Sequence, residues 1–346
     1  MKIVVLCGGL SNERDVSISS GTCAARALAS VGHQVVLIDL FLGYTGPFND
    51  PSEVFTGDME RFGKAMIGTD SPDLKEIIAL REDSRVRVGP NVLTLCRAAD
   101  IVFLALHGEE GENGQVQALL DLYGIKYTGS GYLGSAAAMN KEMSKALFHA
   151  GGILTPRGIT LSKGEAPYAD VGFPCVVKPC SGGSSVGTSI VRTSAAYSAA
   201  LALAFQYENR VIVEKYIHGR ELTVGVMDGV AMPVIEIIPK SGFYDYKNKY
   251  QAGATEELCP APIGDAATRR VQRLAVEVGK ALLIDTYYRV DFLWDTESDE
   301  MYCLEANTLP GLTPTSLIPQ MARTEGISFA ELCERIIQVS LKKYEV

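Results

Sequence analysis

No apolar run in this 346-residue sequence reaches the roughly 18 residues that a membrane-spanning helix requires, so no membrane partner is expected. The N-terminus runs directly into the strand-like KIVVL with no charged n-region followed by a cleavage site, which opposes a secretory leader. Basic residues are the minority: 32 Lys and Arg stand against 41 Asp and Glu, a net charge of −9. Nucleic-acid binding is therefore not expected, because neutralising phosphates needs clustered cations. The eight cysteines, at 7, 23, 96, 175, 180, 259, 303 and 333, form no CxxC and no Cys/His metal spacing. Several sit inside apolar strands, where a free thiol acts as a small hydrophobe, so the expected location is a reducing cytoplasm. Two nucleotide fingerprints are missing as well. No GxGxxG follows the first strand, which opposes NAD, and no GxxxxGK[ST] is present.

What is present reads as a globular α/β enzyme. A hydrophobic share of 47% and a charged share of 21% are ordinary for such a protein, and the length predicts two or three domains. Residues 2–6 form a continuous apolar run, a helix with Ala24, Leu28 and Val31 on its apolar face follows, and 34–40 is a second strand. The opening is a βαβ unit. Gly8-Gly9 at the end of the first strand would let backbone approach a ligand, and Glu13 and Ser17 could point into the same crevice. Residues 41–92 lose periodicity apart from a short helix near 73–81. IVFLALHG (101–108) is a buried strand that ends in His107, facing the crevice. Asn140 caps a helix that ends at Gly151-Gly152. A Lys178-bearing strand enters the small-residue loop CSGGSSVG (180–187), whose backbone N–H groups and Ser184 and Ser185 hydroxyls suit phosphate oxygens. VIVEKYI (211–217) offers backbone to a purine, and Glu221 could take ribose hydroxyls. An Asp-Gly hairpin follows. The polar, aromatic stretch 241–260 reads as a lid that excludes water. Helices are expected over about 264–283 and 328–343.

The stretch RVDFLWDTESDEMYCLEAN carries the most chemistry. Alternation predicts two strands, and folding about Ser298 sets Asp291 opposite Glu305 and Arg289 opposite Asn307. Two carboxylates and an amide at that separation, with no cation between them, would repel. They are also hard oxygen ligands suited to Mg²⁺, which keeps few protein ligands and completes its shell with water and phosphate.

GGLSNERDVS, LHGEEGENG, MNK, VVKP with GGSSVG, EKYIHGRE, FYDYKNKY, RVDF and EANTLPG occur in this order over nearly the whole chain. Together they resemble the D-alanine–D-alanine ligases of the ATP-grasp superfamily. The resemblance implies a three-domain α/β architecture: an N-terminal Rossmann-like domain (1–139), a central ATP-grasp subdomain (140–218) and a C-terminal one (219–346). It implies ATP on Lys141, Lys178, Ser185, Lys215, Tyr216, Ile217, Glu221 and Lys249. It also implies two Mg²⁺ ions, with Mn²⁺ as a substitute, on Asp291, Glu305 and Asn307. Glu13 would hold the ammonium of the first D-alanine and His107 would sit near its carboxylate. Ser184 and Tyr250 would link Glu13, the glycine-rich loop and the lid. Arg289 and the Gly311 N–H would form an oxyanion hole, and Ser316 with Leu317 would bind the second D-alanine. The family also implies a homodimer.

Three departures stand out: the small residue before GSSVG, the TYY before Arg289, and Glu109 where proline is frequent. None removes a matched catalytic side chain. D-lactate and D-serine remain open as second substrates, although Tyr250 in the lid resembles the D-alanine-adding members. Two further readings stay on the table, another ATP-grasp carboxylate–amine ligase and a non-catalytic nucleotide-binding protein.

Overall fold

The apolar run at the N-terminus becomes β1 (Lys2–Cys7), which pairs in parallel with β2 (Gln34–Asp39) on one side and β3 (Ile101–Leu104) on the other. Ile3, Val4 and Val5 are fully buried, as a strand covered on both faces requires. The computed structural model describes residues 1–63, 72–165, 172–240 and 255–345. Pairing of the strand expected over 101–108 stops at Leu104. Helix α1 (Arg14–Ser30) lies against β1 and β2 through Ala24, Ala25 and Leu28. Val31, expected on that apolar face, is instead the exposed residue after the helix, where Gly32 turns the chain at φ 93°.

Within the irregular stretch after β2, residues 54–56 pack on the parallel sheet. Val54 and Phe55 join the core of the parallel sheet, and Thr56 bridges Val35. The short helix α2 (Leu74–Ala79) forms where one was expected, with Asp73 accepting from the Lys75 N–H. Three more helices, α3 (Val92–Ala98), α4 (Glu109–Glu112) and α5 (Gln115–Leu122), surround β3 in sequence.

Helix α6 (Tyr132–Met139) leads into α7 (Lys141–Ala150), whose N-terminus is capped by Asn140 accepting from the Met143 N–H at 3.0 Å. An antiparallel sheet follows, with β4 (Gly158–Ser162), β5 (Cys175–Pro179), β6 (Ser189–Val191) and β7 (Arg210–Lys215) in the order β4-β7-β5-β6. Helix α8 (Ser194–Ala204) buries Tyr197, Ala200 and Leu201 against it. The third sheet holds β8 (Arg220–Met227), β9 (Val230–Pro239), β10 (Thr255–Leu258), β11 (Tyr287–Asp295) and β12 (Glu300–Asn307) in the order β10-β9-β8-β11-β12. Asp228 and Gly229 make the β8–β9 turn with φ of 54° and 74°, the left-handed pair that a two-residue hairpin needs. Helix α9 (Gly264–Leu282) spreads Val271, Ala275, Val278 and Leu282 over this sheet at helical spacing. Strand β10 lies in the stretch read as too polar and aromatic for a buried strand, and it is not buried. It is an edge strand, where one side of the ladder stays open and polar side chains are tolerated.

After β12 come α10 (Leu317–Thr324) and α11 (Phe329–Leu341). Helix α11 returns to the parallel sheet, where Leu332, Cys333, Ile336 and Ile337 share one core with Ala24, Ala25 and Leu28 of α1. All eight cysteines are free thiols. Among the described residues no helix is long and apolar enough to cross a membrane.

Candidate active site

The β11–β12 hairpin has the register that the alternation predicts, with Arg289 opposite Asn307 and Asp291 opposite Glu305. A bulge between Asp291 and Phe292 shifts the pairing nearer the turn by one residue. The repulsion expected between the acids is relieved by cations that the facing-pair argument overlooked. Arg289 donates twice to Asp291, from Nε to Oδ1 and from Nη2 to Oδ2, both at 2.9 Å. Thr223 Oγ1 donates to the same carboxylate at 2.6 Å and Asn307 Nδ2 at 3.1 Å. Four donors thus converge on a buried Asp291. The Lys141 ammonium lies 3.6 Å from Glu305. With Asn307 Nδ2 turned to Asp291, the amide oxygen is its remaining metal-ligating atom.

A cavity of about 450 Å³ separates the two antiparallel sheets. Lys141, Lys178, Ser185, Lys215, Tyr216, Ile217 and Glu221 all line it, so every nucleotide-binding residue expected from the sequence falls in one place except Lys249, which lies outside the described residues. Val176, Ile190, Ile237 and Leu293 give it apolar walls suited to a base. At its inner end Lys178 pairs with Glu214 at 2.5 Å. Lys145, not singled out from the sequence, donates to Glu214 at 2.8 Å and to Thr155 at 2.9 Å. Burial alone would raise the Glu214 carboxyl, but the two ammonium groups overcome it and hold it at about 2. Burial depresses the Lys145 ammonium, and Glu214 only partly offsets this. For Lys178 the attraction of Glu214 and Glu305 outweighs burial and raises it.

Beyond the hairpin is a tighter cavity of about 100 Å³, lined by Glu13, His107, Ser184, Arg289, Gly311, Ser316 and Leu317. These are all the residues expected around the substrates except Tyr250, which lies outside the described residues. Ser184 Oγ donates to Glu13 Oε1 across the gap between the N-terminal and central units. Ser184 and Ser185 both adopt left-handed backbone, φ 52° and 58°, a strained conformation for residues other than glycine of a kind that collects at ligand loops. A Cβ on Gly183 would come within 2.8 Å of the Glu13 carboxylate, so the loop backbone lies close against that side chain. Ser316 precedes α10, so the Leu317 N–H belongs to the first turn of a helix, a place that favours a carboxylate. Pro319 sits in the first turn of this helix, where proline is tolerated.

Two expectations near the first strand are corrected. The space beside Gly8 is filled by Asp39, whose Oδ2 would lie 2.0 Å from a Cβ there, so the glycine admits a side chain and not a ligand. Arg14 then neutralises Asp39 at 2.5 Å and donates to the Gly9 carbonyl at 2.6 Å. Ser17, expected in the crevice, is fully buried between strand ends. It accepts from the Gly8 N–H at 2.8 Å and donates to the Ala105 carbonyl at 2.7 Å.

His107 borders the cavity, yet both ring nitrogens are occupied by protein groups. Nδ1 lies 2.9 Å from the Leu309 carbonyl and so carries the proton, while Nε2 lies 3.0 Å from Ser20 Oγ. Burial lowers its affinity for a second proton, and the neighbouring Glu13 only partly restores it. Glu112 was not singled out from the sequence, although it lies in the HGEEGENG motif. It accepts from the Gly108 N–H at 2.6 Å, and burial, reinforced by the charge of Glu13, raises its carboxyl to about 8. Glu257 on β10 also lines this cavity and was likewise missed.

Comparison with known proteins follows this geometry. Residues 2–130 match the family described as the D-ala D-ala ligase N-terminus, and residues 154–338 match the D-ala D-ala ligase C-terminus. The chain belongs to the D-alanine–D-alanine ligase family. D-alanine–D-alanine ligases from Pediococcus pentosaceus and Lacticaseibacillus casei are 44% and 43% identical to it, covering 100% and 99% of this chain and 99% and 97% of theirs. A crystal structure of the Bacillus anthracis D-alanine–D-alanine ligase complexed with ATP superposes with a TM-score of 0.76 at 31% identity, covering 99% of this chain and 98% of that one. The three-sheet architecture is thus the ATP-grasp arrangement of D-alanine–D-alanine ligases.

Proposed function

We propose that the two cavities are the two halves of one reaction site, with ATP in the larger and the amino-acid substrates in the smaller. The reaction is that of the family: ATP-dependent ligation of two D-alanines, through an acyl phosphate, for peptidoglycan precursor synthesis. The observation that carries the site assignment is the wall shared by the cavities, since Lys141 and Glu305 line both. A phosphoryl group leaving ATP at this wall has only to cross it to meet a carboxylate beside Arg289. Phosphoryl transfer needs in-line positioning and charge neutralisation more than a protein nucleophile. Lys178 supplies one positive charge there, and the resemblance adds Lys249.

In this reading Glu13 holds the first ammonium, with Ser184 fixing its carboxylate. Arg289 and the Gly311 N–H face the oxygen of the tetrahedral intermediate, and each such donor is commonly worth about 3 kcal/mol. Ser316 and the Leu317 N–H take the second carboxylate. The resemblance adds Tyr250 as the link from Glu13 and Ser184 to the lid, and its presence favours D-alanine over D-lactate or D-serine as the second substrate.

Mg²⁺ also belongs to the proposal. The oxygen donors of Asp291, Glu305 and Asn307 fit a hard divalent cation, and Asp291 and Glu305 border the nucleotide cavity. Among the described residues there is no cluster of three or more His, Cys, Asp or Glu able to hold a metal, so the ion would depend on nucleotide oxygens to complete its shell. Bound there, Mg²⁺ or Mn²⁺ would neutralise phosphate charge, while Lys141 and Arg289 keep the two carboxylates in place. We further propose domain limits of 1–139, 140–218 and 219–346, a cytoplasmic location and a homodimer. The dimer reading is supported by exposed Leu122, Tyr132 and Leu133 on the adjacent helices α5 and α6 and by exposed Tyr123 just after α5, and light scattering on the purified protein tests it.

The deciding experiment is phosphate release from ATP with D-alanine alone, with L-alanine alone, and with D-alanine together with D-lactate or D-serine, with product mass read alongside. Release with D-alanine and a D-alanyl-D-alanine mass is expected. Release only with D-lactate or D-serine would move the second-substrate specificity, and release with none would refute the site assignment.

A further inference from the structure

Residues Leu309 to Leu312 connect β12 to α10 and thus belong to the C-terminal unit, but their fastening belongs to the N-terminal one. The side chains of Leu309 and Leu312 are 2% and 1% exposed and lie in the same apolar core as β1, β3 and α1. The backbone between them is held from the same side. His107 Nδ1 donates to the Leu309 carbonyl at 2.9 Å, the Leu309 N–H donates to Glu112 Oε1 at 3.4 Å, and the Leu312 N–H donates to Ser20 Oγ at 3.2 Å. The three side chains are tied together in turn. Ser20 Oγ meets His107 Nε2 at 3.0 Å, and Glu112 Oε2 accepts from the N–H of Gly108, the residue after His107. Between these fixed points Gly311 lines the substrate cavity, and a Cβ on it would come within 2.8 Å of Ser316 Oγ.

We infer that Ser20, His107 and Glu112 form a positioning clamp by which the N-terminal unit sets the Gly311 N–H in register for the ligation step. The inference rests on the reading of Gly311 as an oxyanion donor. None of the three side chains need touch the reacting atoms. Their work is to fix the neutral His107 tautomer and to hold both ends of a four-residue loop, so that a donor displaced by a fraction of an ångström does not lose its alignment. Acting through the Gly311 N–H, the clamp bears on the second half-reaction. ATP is held in the nucleotide cavity, which Ser20, His107 and Glu112 do not line. An acyl phosphate that waits for a slowed ligation is attacked by water, which regenerates the carboxylate and releases phosphate without dipeptide.

The test is the ratio of phosphate released to dipeptide formed in Ser20→Ala and Glu112→Gln, at saturating ATP and D-alanine. Each variant is expected to lower kcat for dipeptide by about tenfold, the effect of losing roughly one aligned hydrogen bond in the transition state. The ratio should rise above one while KM for ATP stays within about twofold of wild type. Wild-type kcat in both variants, or a fall in kcat with the ratio still at one, overturns the clamp. Should Ser20→Ala fail to fold, Glu112→Gln alone decides, because its side chain keeps the same length and one acceptor oxygen. Exchange of the Gly311 amide for an ester, which removes its N–H and adds no Cβ against Ser316, separates this inference from the reading beneath it. Impaired ligation in the Gly311 ester with normal Ser20→Ala and Glu112→Gln overturns the clamp alone. Normal ligation in the Gly311 ester overturns the oxyanion reading and the clamp with it.

Discussion

Glu214→Gln tests the electrostatics of the nucleotide cavity without changing its shape. Glu214 is 3% exposed, and its carboxylate receives both the Lys145 and the Lys178 ammonium. Its carboxyl is depressed from 4.5 to about 2 in the folded protein, and a group depressed in this direction contributes stability above the unfolded value that is lost as pH falls through the folded one. The contribution is about 3 kcal/mol at pH 7 and about 1 kcal/mol at pH 3. Glutamine has no such titration. Urea unfolding of the nucleotide-free protein at the two pH values should show the wild type losing about 2 kcal/mol more of its advantage over Glu214→Gln at pH 3 than at pH 7. An advantage of the same size at both pH values would refute the pairing of Glu214 with the two lysines.

Glu305→Gln should abolish turnover while leaving the circular dichroism spectrum unchanged, and preserved activity with normal Mg²⁺ dependence would sink the metal assignment. Gly8→Ala combines a left-handed backbone, φ 71°, with a Cβ 2.0 Å from Asp39, and should destabilise the parallel-sheet unit by about 3 kcal/mol in urea unfolding. Tyr250→Phe should shift the product from dipeptide toward D-alanyl-D-lactate at lower pH when both second substrates are supplied. An unchanged product ratio by mass would argue against the lid reading.

The hairpin register was legible because strand alternation and a polar turn fix pairing locally, and Asp291 and Glu305 follow from counting. The cation on Asp291 was equally legible and was overlooked. Arg289 and Asp291 are two apart on one strand, so they share a face. Lys145 had the same kind of signal, four residues beyond Lys141 on the capped helix α7 and hence on its side. Glu112 had only its place in a motif to mark it, since a four-residue helix has no readable period. Gly8 illustrates the opposite limit. Glycine after a first strand signals close approach, but whether a ligand or Asp39 approaches depends on a side chain 31 residues away. The edge strand β10 and the return of α11 to the parallel sheet are tertiary outcomes that no local pattern encodes.

That return has a consequence for synthesis on the ribosome. The apolar face of α1, with Ala24, Ala25 and Leu28, is completed by Leu332, Cys333, Ile336 and Ile337 of α11. At typical elongation rates of about 5–20 residues per second, the roughly 300 residues between the two helices take on the order of 15–60 s to make. For that interval the nascent parallel-sheet unit carries an uncovered hydrophobic seam, exposed to chaperones and to neighbouring chains. A protein truncated before α11 would keep that seam open for good, and it should be found in the aggregated fraction even with the glycine-rich loop, Lys178 and the Asp291–Glu305 corner all present.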